Sequence, residues 1–279
     1  MKGKVVVVTG ATDGIGKVTA RELAKAGASV TVVGRNAVKG ERVLKELRAA
    51  AGHGGVEFVQ GDLLTLKGTR GVAEALKDRL PRIDVLINNA GAAFFKRGVT
   101  EDGIEQTFAL NHLAYFLMTN LLIDLVKASG AGRIVSVASA AHGGAKLDFG
   151  DLQNAKSYSG WRAYQQSKLA NIYFTYELSR RLQGTQVTAN CLHPGFVASR
   201  FGDNNGGIGA AIFGVLKRLA AISEEEGAKT PVYLAQSPEV AGVSGKYFDK
   251  CKPVRSSPVS YDEKAAAELW RVSAALTGL

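Results

Sequence analysis

The junction at the start of the chain constrains it most: Val5-Val6-Val7-Val8 runs directly into Thr9-Gly10-Ala11-Thr12-Asp13-Gly14-Ile15-Gly16. Four consecutive β-branched residues without polar alternation suit a strand buried on both faces, as strands of parallel sheets are. In the segment that follows, Gly10 permits a tight turn and Gly14 lets backbone N–H groups approach a pyrophosphate. Gly16 allows the next helix to pack close to the strand. The N-terminus of that helix adds partial positive charge for phosphate oxygens. The spacing departs from the usual G-x-G-x-x-G, and three glycines this close also occur in ordinary turns. Placement directly after a buried strand makes Gly10, Thr12, Asp13, Gly14, Ile15 and Gly16 read as a dinucleotide-binding loop. A carboxylate at Asp13 would repel phosphate, so it is expected to cap the helix by accepting backbone N–H bonds.

Beyond the junction, short apolar runs alternate with helical patterns. Helix Ile15–Ala26 ends at Gly27, and Ser29–Val33 precedes a charged helix over Ala37–Ala50. Val56–Val59 is followed by a helix from Leu66 to Leu80, stopped by Pro81, and then by Ile83–Ile87. A long helix over Glu101–Lys127 leads to Arg133–Val137; residues 140–160 are irregular; a helix over Trp161–Leu182 precedes Val187–Leu192. Strands alternating with helices imply right-handed βαβ units and a parallel sheet. The expectation is an α/β chain with a single-domain Rossmann fold over residues 1–279. Its doubly wound parallel sheet would have about seven strands, with helices on both faces.

Composition removes several classes. With 279 residues, 46% hydrophobic and 22% charged, the chain can bury a large core, which excludes general disorder. The longest uncharged stretch, about Leu110 to Ile123, is interrupted by Asn111, His112, Thr119 and Asn120, so no membrane span is expected. The apolar run before Thr9 is too short for a secretory signal. Two cysteines, Cys191 and Cys251, cannot form a disulfide framework, and four histidines without ligand spacing give no metal site. A cytoplasmic protein is expected. The net charge of +10 is scattered and has no aromatic-interleaved basic run, so no nucleic-acid partner is expected.

Cofactor choice is read at the end of the second strand, where an Asp or Glu would hold the ribose 2′-hydroxyl of NAD. Here Val33-Gly34 is followed by Arg35 and Asn36. A guanidinium pairs bidentately with phosphate and stacks on adenine, so NADP(H) is the expected cofactor, with Lys17 as a second cation.

Tyr164 and Lys168 lie four apart on a helix and therefore on one face. Y-x-x-x-K alone is a weak pattern. Its company is informative: Asn88-Asn89-Ala90-Gly91 after the fourth strand, Asn111 in the long helix and Ser139 after the fifth strand. In a parallel sheet these positions converge on one crevice. The set TGATDGIG, Asp62-Leu63, NNAG, Asn111, Ser139, YQQSK and His193-Pro194-Gly195 resembles the short-chain dehydrogenase/reductase family over nearly the whole chain. GIGK-x-T, LNHLAYFLMTNLL and SxASAAH are similar to its retinol dehydrogenase and WW-domain oxidoreductase branch. The hydrophobic N-terminal anchor of many retinol dehydrogenases is not expected here.

The resemblance implies a catalytic set of Asn111, Ser139, Tyr164 and Lys168, with Asn111 holding a relay water. It also implies cofactor contacts from Asp62, Leu63, Asn89, Ala90, Gly91, Tyr164, Lys168, Pro194, Gly195 and Val197. The chemistry suits these residue types. Carbonyl reduction needs a proton donor, and a tyrosine with a free pKa near 10 would have to fall by about 2–3 units, through a nearby cation, to work reversibly. Ser139 would polarise the substrate oxygen.

Residues 196–222 are strongly apolar and are expected to form a lid over a hydrophobic pocket, although a permanently packed helix fits the pattern equally well. Phe196, Phe201, Phe213 and His142 are the expected substrate contacts, with Leu147, Phe149, Tyr158 and Trp161 as an opposite wall. The expected activity is NADP(H)-dependent interconversion of a small hydrophobic aldehyde or ketone and its alcohol. A catalytically idle NADP-binding regulator, or a lyase or epimerase using the cofactor transiently, is the alternative. Family resemblance also implies a homodimer or homotetramer through the two long helices.

Overall fold

A computed structural model describes residues 1–195 and 222–279. Strand β1 (Val5–Thr9) leads to helix α1 (Gly14–Lys25), followed by β2 (Ser29–Gly34), α2 (Ala37–Ala51), β3 (Val56–Gln60), α3 (Leu66–Arg79) and β4 (Val85–Asn88). The long helix α4 (Gln106–Lys127) precedes β5 (Arg133–Val137). Then come α5 (Gly160–Arg181), β6 (Thr188–Leu192), α6 (Glu224–Gln236), β7 (Tyr247–Asp249), β8 (Lys252–Val254) and α7 (Glu263–Thr277).

The strands form one sheet in the order β3-β2-β1-β4-β5-β6-β7-β8. All pairs are parallel except β7 with β8. The eighth strand exceeds the expected count of about seven. It returns antiparallel from β7 through Lys250 and Cys251, both at positive φ (47° and 63°), the left-handed pair that a two-residue hairpin turn requires. Its three residues are exposed and include Pro253, which an edge strand tolerates.

The valines of β1 divide between two layers as period-two alternation demands. Val6 and Val8 pack with Leu23 of α1, Leu47 of α2 and Leu234 of α6. Val7 packs on the opposite face with Leu76 of α3, Phe116 of α4 and Phe174 of α5. The sheet order reverses direction between β1 and β4, which opens a crevice at their C-terminal ends.

Helix α4 starts five residues later than expected, because Thr100–Gly103 turns (Gly103 at φ 75°) and Val99 bridges Glu105. Its Ala109–Leu113 segment is a π-turn. By length and hydropathy (1.3), α4 could cross a membrane, but 67% of that window is buried inside this protein, as befits a core helix.

Helix α7 packs on α5 and α4. The Trp270 indole stacks on Phe174 (5.8 Å) and meets Phe116 edge-on (4.9 Å), with Arg181 over its ring at 4.3 Å. Buried His112 bonds Ser273 at 2.8 Å. Helix α7 therefore lies against part of the two long helices through which pairing was expected.

Candidate active site

The crevice is a cleft of about 460 Å³. Its floor is a set of backbone joints. The Thr9 hydroxyl at the end of β1 accepts from the amides of Asn89 (2.9 Å) and Ala90 (3.1 Å). The Asn89 side-chain Nδ2 donates back to the Thr9 and Gly10 carbonyls at 2.9 and 3.2 Å. Gly10, at φ 63°, lies so close to Ala90 that a Cβ there would fall 2.6 Å from the Ala90 Cα. Asp13 caps α1, accepting from Gly14 N at 3.1 Å.

Gly10, Thr12, Asp13, Gly14, Ile15, Gly16, Arg35, Asn36, Asp62, Leu63, Asn89, Ala90, Gly91, Pro194 and Gly195 all line the cleft. Some of their side chains also have structural tasks. Asn36 caps α2 through Lys39 N (2.9 Å), and Asp62 accepts from Leu64 N (3.0 Å). Arg35 is exposed at the mouth. The second cation there is Lys39, which lines the cleft and reaches Asp13 at 3.4 Å. Lys17 pairs instead with Glu46 at 3.5 Å. The sequence showed Lys39 as a cation in the first turn of α2, though not its place in the cleft, and Thr9 as the last residue of β1. Val197, Phe196, Phe201 and Phe213, and nearly all of the expected lid, lie outside the described residues.

At the opposite end of the cleft Ser139, Tyr164 and Lys168 come together. Ser139 begins a 3₁₀ turn (Ala140–Gly144), its hydroxyl accepting from Ala141 N at 3.2 Å, and it also bonds the Tyr164 side chain. Burial holds Tyr164 up at about 12, opposed by the Ser139 bond. Lys168, 4% exposed, donates to the Val137 carbonyl at 2.9 Å, and burial lowers it to about 7. The expected fall of the tyrosine is thus reversed in the chain itself. Desolvation of the phenol outweighs the Ser139 hydrogen bond.

Asn111 is fully buried within the π-turn, a feature that often marks functional sites. Its side chain clasps the Ala92 peptide, accepting from its N–H and donating to its carbonyl, both at 2.9 Å. It also donates to Ser167 Oγ at 3.0 Å. Both amide hydrogens are spent, so a relay water can use only its oxygens. Gly91 fits between: a Cβ there would stand 3.2 Å from Asn111 Oδ1 and 3.5 Å from Lys168 Nζ.

His142, expected against the substrate, does not line the cleft. It is 5% exposed, with Nδ1 on the Ser139 carbonyl at 2.6 Å and Nε2 accepting from Ser257 N at 3.0 Å. Burial pushes its pKa down, consistent with a neutral ring joining the catalytic turn to the segment after β8. Among the expected wall residues, Trp161 lines the cleft and Tyr158 is tied to the Phe94 carbonyl at 2.6 Å. Leu147 packs into a buried cluster and Phe149 is exposed. Phe94 and Leu110 line the cleft without having been foreseen.

A doubly wound sheet, a glycine loop at its switch point and a Ser-Tyr-Lys cluster across the same cleft define a class, and the chain belongs to the short-chain dehydrogenase family, whose pattern matches residues 4–206. It is 41% identical to mouse retinol dehydrogenase 14 (100% of this chain, 87% of that one). It is 43% identical to human retinol dehydrogenase 13 (99% and 85%). A solved structure of an uncharacterized protein from Mycobacterium paratuberculosis is 34% identical, with a TM-score of 0.80 over 99% of this chain and 94% of that one. The chain is an oxidoreductase of the retinol dehydrogenase branch.

Proposed function

We propose that the chain interconverts a hydrophobic aldehyde or ketone and its alcohol with NADP(H). The observation that carries this reading is the polarity of the one cleft: Ser139, Tyr164 and Lys168 at one end, Arg35 and Lys39 at the other, with no acid between β2 and Glu41. The cleft residues fit such a cofactor. The α1 N-terminus would face the phosphates with its partial positive charge, and Arg35 and Lys39 would supply charge for a 2′-phosphate. Bound NADPH would supply the hydride.

The chain's residues do the rest. Ser139 donates a hydrogen bond to the carbonyl oxygen and orients it. Tyr164, protonated throughout the neutral range, gives its proton to the oxygen as charge develops there. Lys168 lends positive charge beside the phenol, and its bond to Val137 fixes where that charge stands. The names of the relatives, retinol dehydrogenases, support an apolar alcohol or aldehyde as the substrate class.

The test is consumption of NADPH or NADH with straight-chain aldehydes. The reading expects turnover with NADPH at least tenfold more efficient. Equal efficiency with both cofactors removes the NADP(H) assignment, and no turnover with any aldehyde or ketone removes the activity.

A further inference from the structure

We infer that Trp161 is a specificity-determining residue, its indole face taking the apolar body of the substrate beside Tyr164. The inference rests on the proposed function and states what this chain grips the substrate with. Trp161 is 48% exposed, although it lies in the first turn of a largely buried helix. It lines the cleft that holds Ser139 and Tyr164. Trp161 and Tyr164 are three apart on α5 and hence neighbours. Their ring centres are 5.8 Å apart and their planes tilt by 32°. A carbonyl bonded to Tyr164 therefore brings the atoms next to it against the indole.

The position is built into the fold. Gly160 approaches the chain after β4 so closely that a Cβ would fall 2.6 Å from the Phe95 Cα and overlap the Phe94 carbonyl. That same carbonyl accepts from the Tyr158 hydroxyl, which also bonds Glu105 at 3.1 Å. The start of α5 is thereby pressed onto the Phe94 segment, and Phe94 and Trp161 line one cleft. The π-turn of α4 contributes Leu110 to it. Among the described residues lining this end of the cleft, Lys168 is the only charged one, and it is bonded to the Val137 carbonyl. The substrate class is an aldehyde or ketone with an extended or planar apolar body.

The test uses the full-length protein and aldehydes from propanal to decanal. In Trp161→Ala the ratio of decanal to propanal kcat/KM falls about tenfold or more, in proportion to the aromatic surface removed, and Trp161→Phe recovers most of it. A second measurement needs no turnover. Trp270→Phe leaves Trp161 as the sole indole. In the NADPH-bound protein, 1-decanol, which cannot react with that cofactor form, should shift its emission saturably. An unchanged ratio in Trp161→Ala, or emission unmoved by decanol, overturns the inference. Should the parent protein reduce no aldehyde, the proposed function fails alone, and the emission titration decides for or against Trp161.

Discussion

The ammonium of Lys168 stands over the ring of Tyr164, 5.7 Å from its centre, with the Tyr115 ring at 5.8 Å on another side. A buried cation between two rings is costly unless it works. With Lys168 lowered to about 7, the charge is buried in the folded protein below pH 7 and the full cost is present. From pH 7 towards 10.5 the folded lysine is neutral while the unfolded one stays charged. The unfolded state then binds more protons and stability rises with pH. Lys168→Met should therefore stabilise the protein by about 1–3 kcal/mol below pH 7, lose that advantage towards pH 10.5, and abolish turnover. Denaturant melts across this pH range check it. A variant less stable than the parent at pH 6 contradicts it.

Cofactor choice should follow Arg35. Arg35→Asp replaces a phosphate-binding cation by an acid suited to a ribose hydroxyl, and the NADPH-to-NADH efficiency ratio should fall about 10- to 100-fold. Lys39→Ala should act in the same direction and less strongly, because Lys39 is partly engaged by Asp13. Cofactor affinities measured by fluorescence titration read both effects.

His142 should behave as a strut. His142→Phe keeps the ring that packs edge-on against Tyr247 at 5.0 Å but removes the bonds to the Ser139 carbonyl and Ser257 N. Stability should fall by about 1–3 kcal/mol and kcat should drop, while the chain-length preference of the substrate series stays as it was. A changed preference would return His142 to the substrate wall.

Assembly through the two long helices should be absent if the contacts of Trp270 and Ser273 of α7 with them compete with pairing. Light scattering should show no association that protects α4 and α5. Hydrogen exchange in those helices should accordingly be independent of protein concentration.

What the sequence made legible was whatever repeats locally. The unbroken Val5–Val8 run, the cap at Asp13 and the Gly27 stop placed the first elements within a residue or two. Ser139, Tyr164 and Lys168 could be brought together because parallel topology sends strand ends to one crevice. Three features were hidden because they depend on contacts that no local sequence pattern announces. Lys39 joins the cleft only because α2 folds back beside Asp13. His142 is claimed by Ser257, 115 residues away. The eighth strand is three residues with a proline, held by pairing to β7 and not by any pattern of its own.

The central claim is that this cleft moves a hydride from NADPH to a carbonyl while Tyr164 delivers the proton. NADPH deuterated separately at each face of the nicotinamide C4, reacted with decanal, tests it most directly. The account predicts that one of the two labelled forms leaves its deuterium on the carbinol carbon of decanol. It also predicts that Tyr164→Phe, with NADPH still bound, cuts this transfer by roughly 10²–10⁴-fold. Decanol formed without label from either form, or a phenylalanine variant within about tenfold of the parent rate, would contradict it.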